Sequence, residues 1–347
     1  MTHRITIEEF QKRAGNLPVI DVRAPAEFIH GHIPGAVSLP LFTDAERAQV
    51  GTTYKQQGRE AAILLGFDLT GPKWSGFVRR ALEIAPGKKL AVHCWRGGMR
   101  SSVMAWALDL YGFEIYLLQG GYKSYRRWVA RQWERPYPFW VIGGYTGSGK
   151  THILLQLGKA GEQVVDLEDL AQHQGSSYGS LNRLVQPTQE QFENNLAATL
   201  SRLDPARKIW IEDESQNIGR CLLPKPFWIQ LRSALSFDLQ APVDQRVRAL
   251  LREYGSLDKD FLVACTERIR KRLGPEQTKQ AIAAIGEDRM EDFIRLVLVY
   301  YDKTYRRGLS DRDPRTVVEV PLSDEDPAVN ARKLLKAAET RKALLSV

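Results

Sequence analysis

Residues 90–101 read Leu90-Ala-Val-His-Cys-Trp-Arg-Gly-Gly-Met-Arg-Ser101. A short apolar run ends at Cys94, a glycine-bearing loop follows, and Arg100 and Ser101 close it before a helical pattern opens at Ser102. This order sets the cysteine between a buried strand and a helix N-terminus, where backbone N–H groups and the helix dipole favour a thiolate. Gly97 and Gly98 let the backbone wrap inward, and Arg96 and Arg100 add fixed positive charge. The loop therefore reads as an anion site, formed by Gly97, Gly98 and Ser101, around a nucleophile, Cys94, with Arg96 and Arg100 as its catalytic partners. A buried structural cysteine ahead of a turn is the plainer alternative.

Outward from this loop, strands alternate with helices. Residues 18–23 and 36–40 read as short strands, with a proline-initiated helix over 24–30 between them. Helices are expected over 44–65 and 73–85, a strand over 90–93, a helix from 102 to about 111 and a strand over 114–119. Such alternation implies a parallel sheet covered on both faces. The segment 122–133 is helical in pattern and carries Lys123, Arg126, Arg127 and Arg131, which form either a solvated face or part of a polyanion track. Two prolines in Glu134-Arg-Pro-Tyr-Pro138 then break regular structure, and the domain boundary is expected there, giving domains 1–135 and 136–347.

The second domain opens with the apolar run Phe139-Trp-Val-Ile142 and continues as Gly143-Gly-Tyr-Thr-Gly-Ser-Gly-Lys-Thr151. This is a phosphate-binding loop by pattern and by context, since an amphipathic helix follows at once. Gly144, Gly147, Ser148 and Gly149 supply a backbone that can turn its N–H groups on a phosphate. Lys150 adds a point charge, and Thr151 a hydroxyl. Strands are expected over 163–168 and 208–215, both ending in acids, with a helix over 189–203 between them. Glu212 or Asp213 could hold Mg²⁺ near such a loop, or could cap the next turn. The polar stretch 172–179 reads as a ligand-facing loop, with His173 and Ser176 as candidate contacts, although a solvent-exposed loop histidine is an equal reading of His173. Helices over 242–254, 258–272, 287–304 and 327–345, and a strand over 316–320, complete the chain.

The 347 residues suffice for about two domains. Lys and Arg number 49 against 41 Asp and Glu, an excess that suits polyanionic partners. No apolar run is long enough to span a bilayer, and no secretory h-region follows Met1. Cys94, Cys221 and Cys265 are too far apart for a disulfide framework or a zinc cluster, so a reducing cytoplasm is the expected compartment and no resident metal is assigned.

Residues 21–36, Asp21-Val-Arg-Ala-Pro-Ala-Glu-Phe-Ile-His-Gly-His-Ile-Pro-Gly-Ala36, resemble the N-terminal signature of the rhodanese family, and Cys94 falls where that family carries its persulfide-forming cysteine. Rhodaneses commonly have one residue fewer between this cysteine and the closing arginine. The spacing here, His93-Cys94, five residues, Arg100-Ser101, is also that of cysteine-dependent phosphatases, and the longer loop suits a tetrahedral oxyanion. The fusion to a phosphate-binding-loop domain, together with Gly175–Gly179, Gln186–Asn194, Glu212–Ser215 and Ile218-Gly219, resembles the tRNA 2-selenouridine synthase family. Gln174 departs from that family's loop, where arginine follows the histidine.

The resemblance implies an α/β chain, with a rhodanese-like parallel-sheet domain followed by a P-loop NTPase-like parallel-sheet domain and C-terminal helices. It implies a transferase that replaces sulfur by selenium in the wobble 2-thiouridine of tRNA. Selenophosphate is the donor, and geranyl diphosphate first alkylates the sulfur to give an S-geranyl intermediate. The expected partners are tRNA, through its anticodon region, and a selenophosphate-producing enzyme, with no membrane and no bound cofactor, Mg²⁺ remaining a candidate. The alternative is a rhodanese-fold sulfurtransferase or cysteine phosphatase with an appended nucleotide-binding domain.

Overall fold

The computed structural model describes residues 1–13, 17–174, 178, 185–255 and 257–345. The chain divides into two compact units. The first comprises Met1–Trp133 together with Glu193–Ala198, and the second Glu134–Phe192 and Thr199–Val347.

The first unit is built on five parallel strands in the order Thr2–Ile5, Glu114–Leu118, Lys89–His93, Val19–Asp21, Ala36–Ser38. The strand feeding Cys94 is central, and Leu90 and Val92 are fully buried with Ile20, Ile115, Met104 and Leu108 in the core. Parallel strands need crossover helices, which cover both faces and make each strand apolar on both sides. Register pairs Asp21 with His93, so the chain leaves both strands at the same edge of the sheet. Ligands of open parallel sheets collect at this carboxyl edge.

Several local features differ from expectation. The helix after Cys94 spans Met99–Leu110, so Arg100 and Ser101 lie in its first turn instead of closing the loop ahead of it. The expected helix over 44–65 is two helices, Asp44–Gln57 and Arg59–Thr70, separated at Gly58, whose φ of +91° stops the first. The strand Thr2–Ile5 and the helix Ile7–Arg13 have no counterpart in the sequence pattern.

The second unit also carries five parallel strands, ordered Val317–Pro321, Leu235–Gln240, Phe139–Gly144, Ile209–Glu212, Gln163–Val165. The strand entering the phosphate-binding loop is again central. Its register sets Ile142 beside Glu212 and Gly143 beside Asp238. The strand expected over 163–168 ends at Val165, because Asp166 caps a short helix, Leu167–Ala171, by accepting from the Asp169 backbone N–H. Leu235–Gln240 is a central strand that sequence patterning does not assign. Helices Lys225–Ser233 and Pro275–Gly286 are likewise absent from the pattern. The C-terminal helices form their own core around Leu250, Leu262, Ala284 and Phe293. No helix among the described residues is long and apolar enough to cross a membrane.

Candidate active sites

In the first unit, Cys94 follows the central strand and is 3% exposed. Ser101 Oγ donates to Cys94 Sγ over 3.1 Å and lies 3.1 Å from Gly98 O, so the first helical turn is fixed directly to the sulfur. The backbone of the loop is held from behind by a second helix, Gly121–Gln132. Tyr122 N–H donates to Cys94 O over 2.8 Å and Lys123 N–H to Trp95 O over 2.9 Å. This approach requires glycine. A Cβ on Gly121 (φ +56°) would stand 2.3 Å from Cys94 O and 2.5 Å from Gly97 N. Gly97 (φ +65°) is confined likewise by Leu118 O at 2.8 Å.

Beneath the loop lies a buried polar group. Arg23, with no exposed surface, forks onto Asp21 through Nη2 to Oδ2 (2.7 Å) and Nε to both carboxylate oxygens (3.0 and 2.9 Å). Its Nη2 also donates to Gly31 O over 2.6 Å, and its guanidinium carbon lies 3.8 Å from the centre of the Tyr122 ring. Burial opposes ionisation of Asp21, but the fields and hydrogen bonds of its neighbours, Arg23 chief among the permanent charges, hold the carboxyl below its usual range. Burial pushes the His93 imidazole down, so a neutral ring stacks beside Tyr122. Asn194, at the end of the stretch 186–194, donates to Tyr122 Oη over 2.7 Å and to His32 O over 2.9 Å. These residues form a rigid floor for the cysteine loop.

The arginines expected around Cys94 divide. Arg96 is exposed on the loop. Arg100 gives its Nη1 to Glu27 Oε2 over 2.6 Å, with Arg47 3.8 Å from the same oxygen. Burial works against ionisation of Glu27, but Arg100 holds its carboxyl below the usual range. The pair lines an open bay with Trp95, His30 and Asp44. Of the basic residues on the helix behind the loop, Arg126 binds Glu193 and Asn194 and Arg131 faces Glu8, whereas Lys123 and Arg127 are exposed.

In the second unit, Gly144, Gly147 and Gly149 take φ of +145°, +81° and +79°. A Cβ on Gly147 would meet Arg246 O at 3.0 Å, and one on Gly144 would meet Ser148 Oγ at 2.7 Å. The helix Lys150–Lys159 starts from this loop, so its unpaired N–H groups and dipole face the cavity above it. Lys150 Nζ lies 3.0 Å from Gly144 O, across the loop. Tyr145 sits between Tyr305, whose ring centre is 4.8 Å away, and the Arg246 guanidinium at 4.9 Å. Tyr305 is in turn anchored on Asp238 over 2.6 Å, and Arg246 on Asp302 over 2.8 Å.

Thr151 Oγ1 lies 2.8 Å from Glu212 Oε1 and 3.1 Å from Glu168 Oε2. Its single proton is shared between the two oxygens or given to the nearer one, Glu212 Oε1. Burial, with the neighbouring carboxylates, pushes both Glu168 and Glu212 up. Burial and Glu168 push Glu214 up to about 8. Asp213 is drawn away from this group: Arg312 donates to its Oδ1 over 2.6 Å, with Arg232 at 3.5 Å. Of the two acids expected near the loop, Glu212 therefore faces Thr151 while Asp213 serves a buried ion pair. His173 lines the same cavity, with burial pushing its imidazole down, and Ser176 lies outside the described residues. No cluster of three or more His, Cys, Asp or Glu residues in metal-holding geometry occurs among the described residues.

A rhodanese-like domain matches residues 6–127, and the AAA domain of tRNA 2-selenouridine synthases matches residues 137–326. The chain belongs to the tRNA 2-selenouridine synthase family. The tRNA 2-selenouridine synthase of Hydrogenovibrio crunogenus is 36% identical over 330 residues, spanning 84% of this chain and 88% of its own. That of Shewanella loihica is 35% identical over 348 residues, spanning 88% and 91%. The family is one of tRNA-modifying enzymes, and the match runs through both units and both loops described above.

Sequence patterning does not single out Arg23, Gly121 and Asn194 beneath the cysteine, nor Tyr145, Arg246 and Tyr305 around the phosphate-binding loop. Arg23 carries a signal, as a charged residue soon after the apolar strand Val19–Asp21. Asn194 ends the family-like stretch 186–194, but its place beneath the cysteine is not legible there, because its partners are distant in the chain.

Proposed function

We propose that this chain replaces sulfur by selenium in the wobble 2-thiouridine of tRNA in two steps served by two phosphate-handling loops. In the first, geranyl diphosphate binds at Gly144–Thr151. The thiocarbonyl sulfur attacks C1 of the geranyl chain, the C–O bond breaks and diphosphate leaves. The loop N–H groups, the helix dipole and Lys150 suit the charge that develops on that leaving group. In the second, selenophosphate binds at the Cys94 loop, where Cys94 handles the selenium and Arg96 and Arg100 balance the anion. The selenium of selenophosphate adds at C2, the C–S bond breaks and geranyl thiol leaves with a proton, and water then cleaves the P–Se bond so that phosphate departs and selenium stays on C2. Alkylation makes chemical sense because a thioether sulfur departs far more readily than a thiocarbonyl.

Mg²⁺ suits the first site. Thr151 and Glu168 present hard oxygen donors to the cavity over the phosphate loop, with Glu212 buried behind Thr151, and few protein ligands are needed where phosphate oxygens complete the shell. The cation would there neutralise diphosphate charge and relieve repulsion among the acids.

The observation that carries this reading is the presence, in a chain of this family, of two glycine-bearing loops that each join a central strand to a helix N-terminus. One is centred on a sulfur fixed by Ser101, the other on Lys150. Assaying the two half-reactions separately tests it. Lys150→Ala should abolish geranylation while sparing selenation of pre-geranylated RNA, and Cys94→Ala the reverse. If Cys94→Ala stops geranylation and spares selenation, the assignment of the loops is wrong.

A further inference from the structure

A second cavity opens beside the Cys94 loop. It has a volume of about 160 Å³ and lies between the helices Asp44–Gln57 and Arg59–Thr70 and the start of Met99–Leu110. Leu41, Phe42, Val50, Ala62, Ile63 and Val103 give it an apolar interior. The Thr70 hydroxyl in its wall is already spent on Gly66 O over 2.8 Å. Arg100, on its border, is turned onto Glu27. The interior therefore offers a polar ligand no donor, and the penalty for burying an unpaired polar group would exclude one. Tyr54, Phe67 and Met99 stand 57%, 55% and 49% exposed around the mouth, an apolar rim that a soluble surface does not need.

Arg59 also borders the cavity, so its occupant combines a short hydrocarbon chain with an anionic body. The volume limits the chain to a short one. Arg100 additionally borders the polar bay that holds Trp95, and Ser101, the next residue, donates to Cys94 Sγ. The helical turn that borders the apolar seat thus also contacts the nucleophile, through Ser101.

We propose that this cavity seats the geranyl chain of the S-geranyl-2-thiouridine intermediate while selenium displaces it. The RNA phosphates provide the negative charge for Arg59. The inference rests on the S-geranyl intermediate proposed above. As the C2–S bond breaks, its electron pair stays on sulfur, which takes a proton, and the geranyl thiol is released from an apolar seat. Chain recognition in this unit is separate from diphosphate recognition at Lys150.

The test uses the full chain with selenophosphate and an anticodon stem-loop RNA carrying either S-geranyl- or S-methyl-2-thiouridine, with 2-selenouridine measured by mass spectrometry. The variants are Phe67→Ser, at an exposed rim position, and Val103→Phe, which fills the cavity. Both should lower kcat/KM for the S-geranyl RNA by about tenfold, as expected for losing part of a buried hydrocarbon contact. Conversion of the S-methyl RNA, geranylation from geranyl diphosphate and thermal unfolding of Phe67→Ser should stay unchanged. Equal S-geranyl kinetics in both variants and the parent protein would overturn the inference. So would a loss confined to geranylation, which would assign the cavity to the donor. If the parent protein fails to convert S-geranyl RNA at all, the intermediate itself falls, and the seat with it.

Discussion

Ser101 Oγ donates a hydrogen bond to Cys94 Sγ over 3.1 Å, joining the first turn of the helix Met99–Leu110 to the sulfur at the end of the central strand. The bond aims the sulfur and supplies a proton donor to any negative charge it carries. Ser101→Ala removes that donor without changing the fold around a small buried side chain. A hydrogen bond to a charged group contributes about 1.5–3 kcal/mol, so selenation should slow by about tenfold to a hundredfold. Geranylation, followed in parallel, should not change.

Gly121 is the point where two backbones meet. Its φ is +56°, and a Cβ added there would stand only 2.3 Å from Cys94 O, so Gly121→Ala must push the cysteine loop away from the helix behind it. Strain of this kind costs about 1–3 kcal/mol before any loss of packing. Urea unfolding should show a lower midpoint with an unchanged slope, and selenation should fall with it. Gly98→Ala, where a Cβ meets nothing within 4 Å, is the control that should unfold like the parent.

The acids of the second unit give a pH signature. Burial and Glu168 push Glu214 up to about 8, so its folded-state proton is held well above the range of an exposed carboxyl. Between about pH 4.5 and 8 the folded protein binds the extra proton and the unfolded chain does not, so stability falls as pH rises through that window. The same ionisation adds a negative charge to the cavity that would receive diphosphate. Without divalent cations, inorganic pyrophosphate should therefore bind more weakly as pH rises through about 8, and Glu214→Gln should flatten the profile. Isothermal titration across that range checks it.

Much of this is legible in the sequence, for physical reasons. The two loops follow apolar strands and use glycine where backbone N–H groups must turn inward, and both features show in the chain itself. Arg312 and Asp213 show the opposite case. An acid at a strand end beside a phosphate-binding loop reads as a cation ligand until a guanidinium 99 positions away takes its Oδ1. Leu235–Gln240 escapes because Ser236 and Asp238 interrupt its apolar residues, although both are buried in the sheet and Asp238 anchors Tyr305. Thr2–Ile5 escapes because it is mostly polar, an edge strand paired, among the described residues, with Glu114–Leu118 alone. The apolar cavity beside Arg100 is assembled from three separate stretches, and periodicity along any one of them does not reveal it.

The most direct measurement is mass spectrometry of tRNA nucleosides after incubation of the protein with 2-thiouridine-containing tRNA and the two donors, singly and together. Geranyl diphosphate alone should give S-geranyl-2-thiouridine, selenophosphate alone should leave 2-thiouridine unchanged, and both together should give 2-selenouridine. Formation of 2-selenouridine from selenophosphate alone, at the rate seen with both donors, would contradict the two-loop account.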